Sequence, residues 1–369
     1  MMIRAAAPLL TLLATTASAV ASVPAPPTPS VERTLLVWTP GETRCDGQSV
    51  AAVVVARPRP GLSWGRSPVQ PDSVSVRFRI DAEGRALSIS QPLNVYRPAS
   101  VDLGPALAAA RFPAGAARAN CTMVYASHAS SLAESAPADL AAYIAESDDE
   151  PMPLEGWQRV RPNARDCLAT PQPSPLLRAY PDFDRISATP GVRDWTMIGY
   201  DLDRHGRPGG AKAIFSSGNA ALDAAGAKAV RASRFAGGAR SGCFYPYWRA
   251  PKPIAAPPTP DKAALTPANA QCAGDDRWAT PPALIYPQAY NRRSIEGWAV
   301  IGFDVAPWGE PGNLHVLASE PAAAFGEQAM QMLHGARKAA SPTGRSGCVE
   351  LVRFVIARGR SAADATTTD

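Results

Sequence analysis

The chain has 369 residues, 46% of them hydrophobic, with a net charge of +5, 38 prolines, four histidines and six cysteines. The hydrophobic content excludes wholesale disorder, the charge is too mild to indicate a nucleic-acid binder, and so few scattered histidines and cysteines leave little for a metal centre. The length allows two or three domains, and proline at about twice ordinary usage predicts many turns and strand edges and few long helices.

The first element is a leader. Met1 to Arg4 carries one positive charge, Ala5 to Ala14 is apolar and uncharged, and the small-residue sites Ala17-Ser18-Ala19 and Ala19-Val20-Ala21 follow. This is the layout of a secretory signal peptide, residues 1–21, cleaved after Ala19 or Ala21. The apolar stretch is broken by Pro8 and falls short of the ~20 residues that span a bilayer. Export to the periplasm is expected, where cysteines pair.

The cysteines then set the frame. Cys45 and Cys121, Cys167 and Cys243, and Cys272 and Cys348 are each separated by the same interval of 76 residues. Equal intervals predict three homologous units, each with one internal disulfide in that pairing. The contexts agree: Arg240-Ser241-Gly242-Cys243 repeats as Arg345-Ser346-Gly347-Cys348, and Arg118-Ala119-Asn120-Cys121 is a looser copy. Redox catalysis would need Cys-x-x-Cys, and structural zinc would need ligands two to four residues apart. Neither spacing occurs.

Unit one is expected over 31–130. Val74, Val76, Phe78 and Ile80 alternate with polar residues, the period of a half-buried strand. A turn at Asp81 to Gly84 leads to a partner strand at Leu87 and Ile89, and a short helix around Leu103 to Phe112 contains Pro105. Cys121 opens a last strand. Residues 131–156 read as a linker with the acidic run Glu146 to Glu150. Unit two, 157–253, has a short helical segment at Tyr180-Pro181, a strand through Ile198, Tyr200 and Leu202 to Gly206, a helix over Asn219 to Phe235 with Asn219 as its N-cap, and a last strand from Cys243 to Trp248. A proline-rich linker, 254–267, precedes unit three, 268–360. That unit repeats the plan with Tyr286-Pro287, Ile301, Phe303 and Val305 before Gly309, a helix over Phe325 to Lys338, and a last strand from Cys348 to Ile356. Residues 361–369 are a tail. Gly84, Gly206 and Gly309 read as one hairpin position that needs a positive φ. The expected order per unit is α-β-β-α-β, an α+β fold.

These residues carry a resemblance. Ile285-Tyr286-Pro287, Gly297-Trp298, Gly302-Phe303-Asp304-Val305, Gly309, Ser319-Glu320-Pro321 and the alanine-rich helix resemble the TonB C-terminal domain family. Unit two is similar through Tyr180-Pro181, Trp195, Gly199-Tyr200-Asp201-Leu202, Gly206 and Arg234-Phe235. Unit one is similar only through Val76, Phe78, Ile80, Gly84 and Arg111-Phe112. The resemblance implies a non-catalytic module that binds an extended segment of an envelope protein by strand addition, such as a TonB-dependent outer-membrane transporter, and so a link to transmembrane transport. The strand edge it implies is Val349, Leu351, Arg353 and Val355. Energy-transducing members keep a membrane anchor and a long Pro-rich spacer, and they lack these cysteines, so the fold carries over better than the motor role. A cell-wall-associated structural protein, with peptidoglycan as partner, is the alternative.

No catalytic residues, metal site or cofactor are expected. His128, His205, His315 and His334 fall at non-equivalent places, and no Gly-x-Ser-x-Gly elbow exists. Asp201, Asp203 and Gly206 lack the remaining ligands of a calcium loop. Arg231, Arg234 and Arg240 suit the end of the second unit's helix.

Overall fold

The computed structural model describes residues 33–64, 72–91, 102–147, 150–161, 165–272 and 277–356. The expected signal peptide, the tail, and Asp148 and Asp149 of the acidic run lie outside them. In the first region the chain runs through β1 (Arg33–Cys45), β2 (Gln48–Ser49), β3 (Gly61–Trp64), β4 (Ser73–Ile80), β5 (Ala86–Ser90), α1 (Leu103–Ala109) and β6 (Arg118–Ser131). β4 alternates buried Val74, Val76, Phe78 and Ile80 with exposed Ser75, Arg77 and Arg79, because side chains on a strand point to opposite faces in turn. Pro105 sits in the first turn of α1, where no backbone donor is required.

Two helices follow, α2 (Pro137–Glu146) and α3 (Leu154–Val160). The second region contains α4 (Arg165–Leu168), β7 (Pro175–Leu177), a 3-10 turn at Phe183–Arg185, β8 (Asp194–Leu202), β9 (Pro208–Ser216), α5 (Ala220–Ala232), β10 (Arg234–Phe235) and β11 (Arg240–Arg249). The third contains α6 (Lys262–Leu265), β12 (Trp278–Thr280), α7 (Gln288–Arg292), β13 (Gly297–Val305), β14 (Pro311–Glu320), α8 (Ala323–His334), β15 (Arg337–Lys338) and β16 (Arg345–Phe354). Disulfides join Cys45–Cys121, Cys167–Cys243 and Cys272–Cys348.

The second and third regions share a plan. Each has a three-stranded antiparallel sheet, β11-β8-β9 and β14-β13-β16, with the hairpin's first strand in the middle. Their registers coincide: Tyr200 faces Cys243 and Phe303 faces Cys348, while Trp195 faces Trp248 and Trp298 faces Arg353. The Asn219 side chain caps α5 by accepting from the Leu222 N–H at 3.1 Å. The hairpin glycines recur in all three regions. Gly84, Gly206 and Gly309 have φ of 77°, 69° and 93°, and their carbonyls accept from Phe112, Phe235 and Lys338 N–H at 2.9, 3.0 and 2.9 Å. A Cβ at any of the three would collide with the carbonyl oxygen of that same partner, so each turn is docked against the segment leaving its helix.

The first region departs from the expected α-β-β-α-β order. Among the described residues it opens with β1 rather than a helix, and its sheet runs β2-β1-β6-β4-β5. β1 was not foreseen because Pro40-Gly41 reads as a break. The strand carries the pair as an irregularity, with a register shift against β6 between Pro40 and Thr43, and Gly41 lies where a Cβ would meet the Val124 carbonyl oxygen at 2.7 Å.

The linkers also differ from expectation. Residues 137–146 and 154–160 are helical, and Leu140, Ala141 and Tyr143 are buried. α2 joins Leu35, Trp195 and Met197 in one apolar cluster, so it binds the first region to the second. The proline-rich stretch also packs: Ala256 and Leu265 lie against Trp298, Val300 and Leu351, and Trp298 Nε1 donates to the Pro257 carbonyl at 2.9 Å. Phe78, Leu107 and Phe112 of the first region share a core with Phe325, Leu333 and Phe354 of the third. At that seam Ile89 N–H donates to the Pro321 carbonyl at 2.9 Å, and Glu320 accepts from Ser88 N–H at 2.6 Å and from Arg79 Nη2 at 2.7 Å. The described residues therefore form one body.

Candidate functional site

The last strand of each region ends its sheet differently. In the first, β1 lies along β6 from Thr34 opposite Ser131 to Cys45 opposite Cys121, and covers that edge. In the second and third, no strand among the described residues pairs with the outer side of β11 or β16. An uncovered edge offers N–H and C=O groups to an incoming strand.

The direction of those groups follows from the ladder. Ser217 N–H donates to the Trp195 carbonyl at 2.9 Å, so Trp195 turns its backbone toward β9. Trp248, its partner on β11, then turns outward, and so do Pro246 and Phe244 at two-residue steps. By the shared register, Arg353, Leu351 and Val349 occupy those places on β16. The two edges are thus unequal. Pro246 has no N–H, which removes the central donor of the β11 edge, as edge strands often do. β16 has Leu351 there.

The four residues expected at the edge fare unequally. Val349 is buried and Leu351 half-buried, both against the stretch that precedes the third region. Arg353 is exposed. Val355 is 58% exposed and lies past the end of β16, so the strand is shorter than the expected run to Ile356. The other end is capped. Gln271 N–H donates to the Ser346 carbonyl at 2.9 Å, and its Oε1 accepts from Ser346 N–H and Oγ, both at 3.2 Å. The Cys272–Cys348 bond thus pins the incoming chain across the start of the strand and leaves Val349–Phe354 beyond it.

The remaining candidates are on separate elements. His128 is on β6, His315 on β14 and His334 at the end of α8. Asp201 accepts from Gly242 N–H at 2.7 Å, and Asp304 from Gly347 N–H at 3.0 Å, so both carboxylates fix the start of a last strand. Arg231, Arg234 and Arg240 donate to backbone carbonyls.

A second polar centre had no signal in the sequence. Arg293, just after α7, is 2% exposed. It donates from Nε to Asp102 Oδ1 at 2.7 Å, pairs with Oδ2 through Nη2, and reaches the carbonyls of Gly191 at 3.1 Å and Arg57 at 2.7 Å. Asp102 also accepts from Arg59 N–H at 2.7 Å. One guanidinium from the third region thus bonds to both the first and the second. Next to it, Glu146 accepts from Trp195 Nε1 at 2.9 Å. Burial pushes the Glu146 carboxyl above its ordinary 4.5, and the Arg293 and Arg59 charges offset only part of the rise. A carboxyl with a raised folded value costs stability only once it ionises. Glu146→Gln keeps an acceptor for Trp195, so it is expected to stabilise the fold at pH 7. The gain should fade as pH falls from the raised value through the ordinary one, as measured by urea unfolding at both ends of that window.

No helix among the described residues is long and apolar enough to cross a membrane. Residues 282–365 match the family model described as Gram-negative bacterial TonB protein C-terminal. That family serves energy transduction and protein interaction rather than catalysis, and its domains contact outer-membrane proteins. No curated protein matches the chain. The span from 282 runs through α7, the β13–β14 hairpin, α8 and β16, so the part of the chain that holds these elements is the part similar to a TonB C-terminal domain.

Proposed function

We propose that the chain is a non-catalytic periplasmic protein of three tandem TonB-type modules that binds an extended segment of an outer-membrane transporter by strand addition at β16. The observation that carries this reading is the contrast among the three last strands. β6 is covered by β1, β11 lacks its central donor at Pro246, and β16 lies inside the matched family span with Val349, Leu351 and Arg353 turned outward. Strand addition draws its affinity from such main-chain bonds. The paired cysteines fit an exported protein, and the leader at residues 1–21 would take the chain there.

The test is a proline at the β16 position that matches Pro246. Leu351→Pro removes an outward N–H without touching the ladder to β13. It leaves an acceptor on the incoming strand without a partner, so binding of a transporter peptide should weaken about tenfold or more. Fluorescence anisotropy reads the affinity, and circular dichroism checks that the sheet survives. Unchanged binding in Leu351→Pro would place the partner elsewhere. A pull-down from outer membranes that recovers no transporter, together with sedimentation on purified sacculi, would replace this reading with a cell-wall role.

A further inference from the structure

β7 stands on the second region as an apolar ridge. Leu176 is 72% and Leu177 56% exposed. Successive side chains on a strand point to opposite faces, so neither face of this strand is covered. The ridge is held at both ends. Ala236 N–H donates to the Ser174 carbonyl at 2.8 Å before it, and Ala179 N–H donates to Ser233 Oγ at 3.1 Å after it. Tyr180 follows, half exposed, with its ring T-shaped against Tyr247.

Each leucine has an arginine close by. Arg234 on β10 is directly opposite Leu177, and cross-strand partners share a face. Arg178 is next after Leu177. Its guanidinium lies over the Tyr245 ring, 4.8 Å from the centroid, and Nη1 donates to the Tyr245 hydroxyl at 3.2 Å. Arg231 ends α5, and its carbonyl accepts from Arg234 Nη1 at 3.1 Å. All three arginines are exposed. Among the described residues they bond to carbonyls or a hydroxyl, and no carboxylate pairs with any of them. Of the two carboxylates that follow the ridge, Asp182 is taken by Arg185 at 3.1 Å, and Asp184 lies on the 3-10 turn beyond it. The third region differs here. Arg337 corresponds to Arg234, since each precedes the residue that donates to its hairpin glycine, but Arg337 pairs with Glu310 at 2.8 Å.

We propose that β7 and its arginines form a contact with an anionic lipid surface. Leu176, Leu177 and Tyr180 enter the headgroup layer, and Arg178, Arg231 and Arg234 meet lipid phosphates. A ridge exposed on both faces suits a fluid surface that closes around it, and arginines without carboxylates supply the charge complement. This contact is separate from the β16 edge and does not depend on it.

Cosedimentation with sucrose-loaded vesicles tests it, using the disulfide-intact chain from Ser22 on, which holds every described residue. Vesicles of phosphatidylethanolamine with phosphatidylglycerol should bind it about tenfold more tightly than phosphatidylcholine, and added salt should weaken that binding. Leu176→Ser with Leu177→Ser should weaken it about tenfold, and Arg178→Gln with Arg234→Gln by about the same factor. All four positions are exposed, and circular dichroism checks the fold. Leu284→Ser with Ile285→Ser, at similarly exposed positions of the third region, should leave binding unchanged. No binding to the anionic vesicles, equal binding to both kinds, unchanged binding in either folded β7 or arginine pair, or an equal loss in the third-region pair would overturn the proposal.

Discussion

Arg293→Met is expected to destabilise the fold by about 3–5 kcal/mol, the usual result of removing one partner from a buried ion pair. The loss comes less from the missing attraction than from what is left behind. Asp102 would be left buried beside Arg59 N–H without its two-point partner. The carbonyls of Gly191 and Arg57 would lose their donors at the same time. Two of the three regions would feel that loss directly, so unfolding should broaden as the first and second regions loosen separately. Asp102→Leu combined with Arg293→Met should recover part of the stability, because an apolar pair carries no stranded charge. Urea denaturation of wild type, single and double variants measures all three. A single-variant loss well below 1 kcal/mol would mean that Asp102 is held by other groups.

Cys45→Ala with Cys121→Ala is the second large effect. The bond closes a loop of 76 residues, which the chain-entropy model values at about 4–5 kcal/mol. It also fixes β1 to β6 at facing positions, Cys45 opposite Cys121. Its loss should therefore free the start of β6 in particular. Amide exchange at Thr122 and Met123 should rise more than at Ser127 or Ala129, which lie at the other end of the β1 ladder. Equal exchange along β6 would show that packing alone holds β1 in place.

Much of the local fold was legible from residue pattern. The period of two gave β4 its faces, whereas β8 and β13 are buried on both faces over most of their length, and the three equal cysteine intervals set the bonds that the structure contains. Gly84, Gly206 and Gly309 proved to be one position, for a reason beyond turn geometry: a docked helix exit that leaves no room for a Cβ. Three things were not legible. β1 hides behind Pro40-Gly41, since a bulged strand looks like two short fragments. α2 hides behind its acidic end, where Glu146 reads as solvated although its carboxyl turns inward onto Trp195. The Asp102–Arg293 pair spans 191 positions, and no local pattern reports a contact at that distance. Of the strand edge, Val349, Leu351 and Arg353 lie on β16 and Val355 past its end, and the family resemblance, not the repeat, singles them out. The covering of Val349 and Leu351 by the proline-rich stretch was not legible, because it depends on how a linker packs.

The seam between β5 and the start of α8 has a consequence for how the molecule comes to be. Ser88 meets Glu320 across 232 positions, so the core of the first region is completed by residues made near the end of the chain. Contacts this distant slow folding, since the loop must close before it is rewarded. A chain emerging from its N-terminus would wait with Phe78 and Leu107 uncovered until Phe325 and Leu333 arrive. Over that interval the Cys45–Cys121 bond, which lies wholly within the first region and joins β1 to β6, would limit how far it can stray.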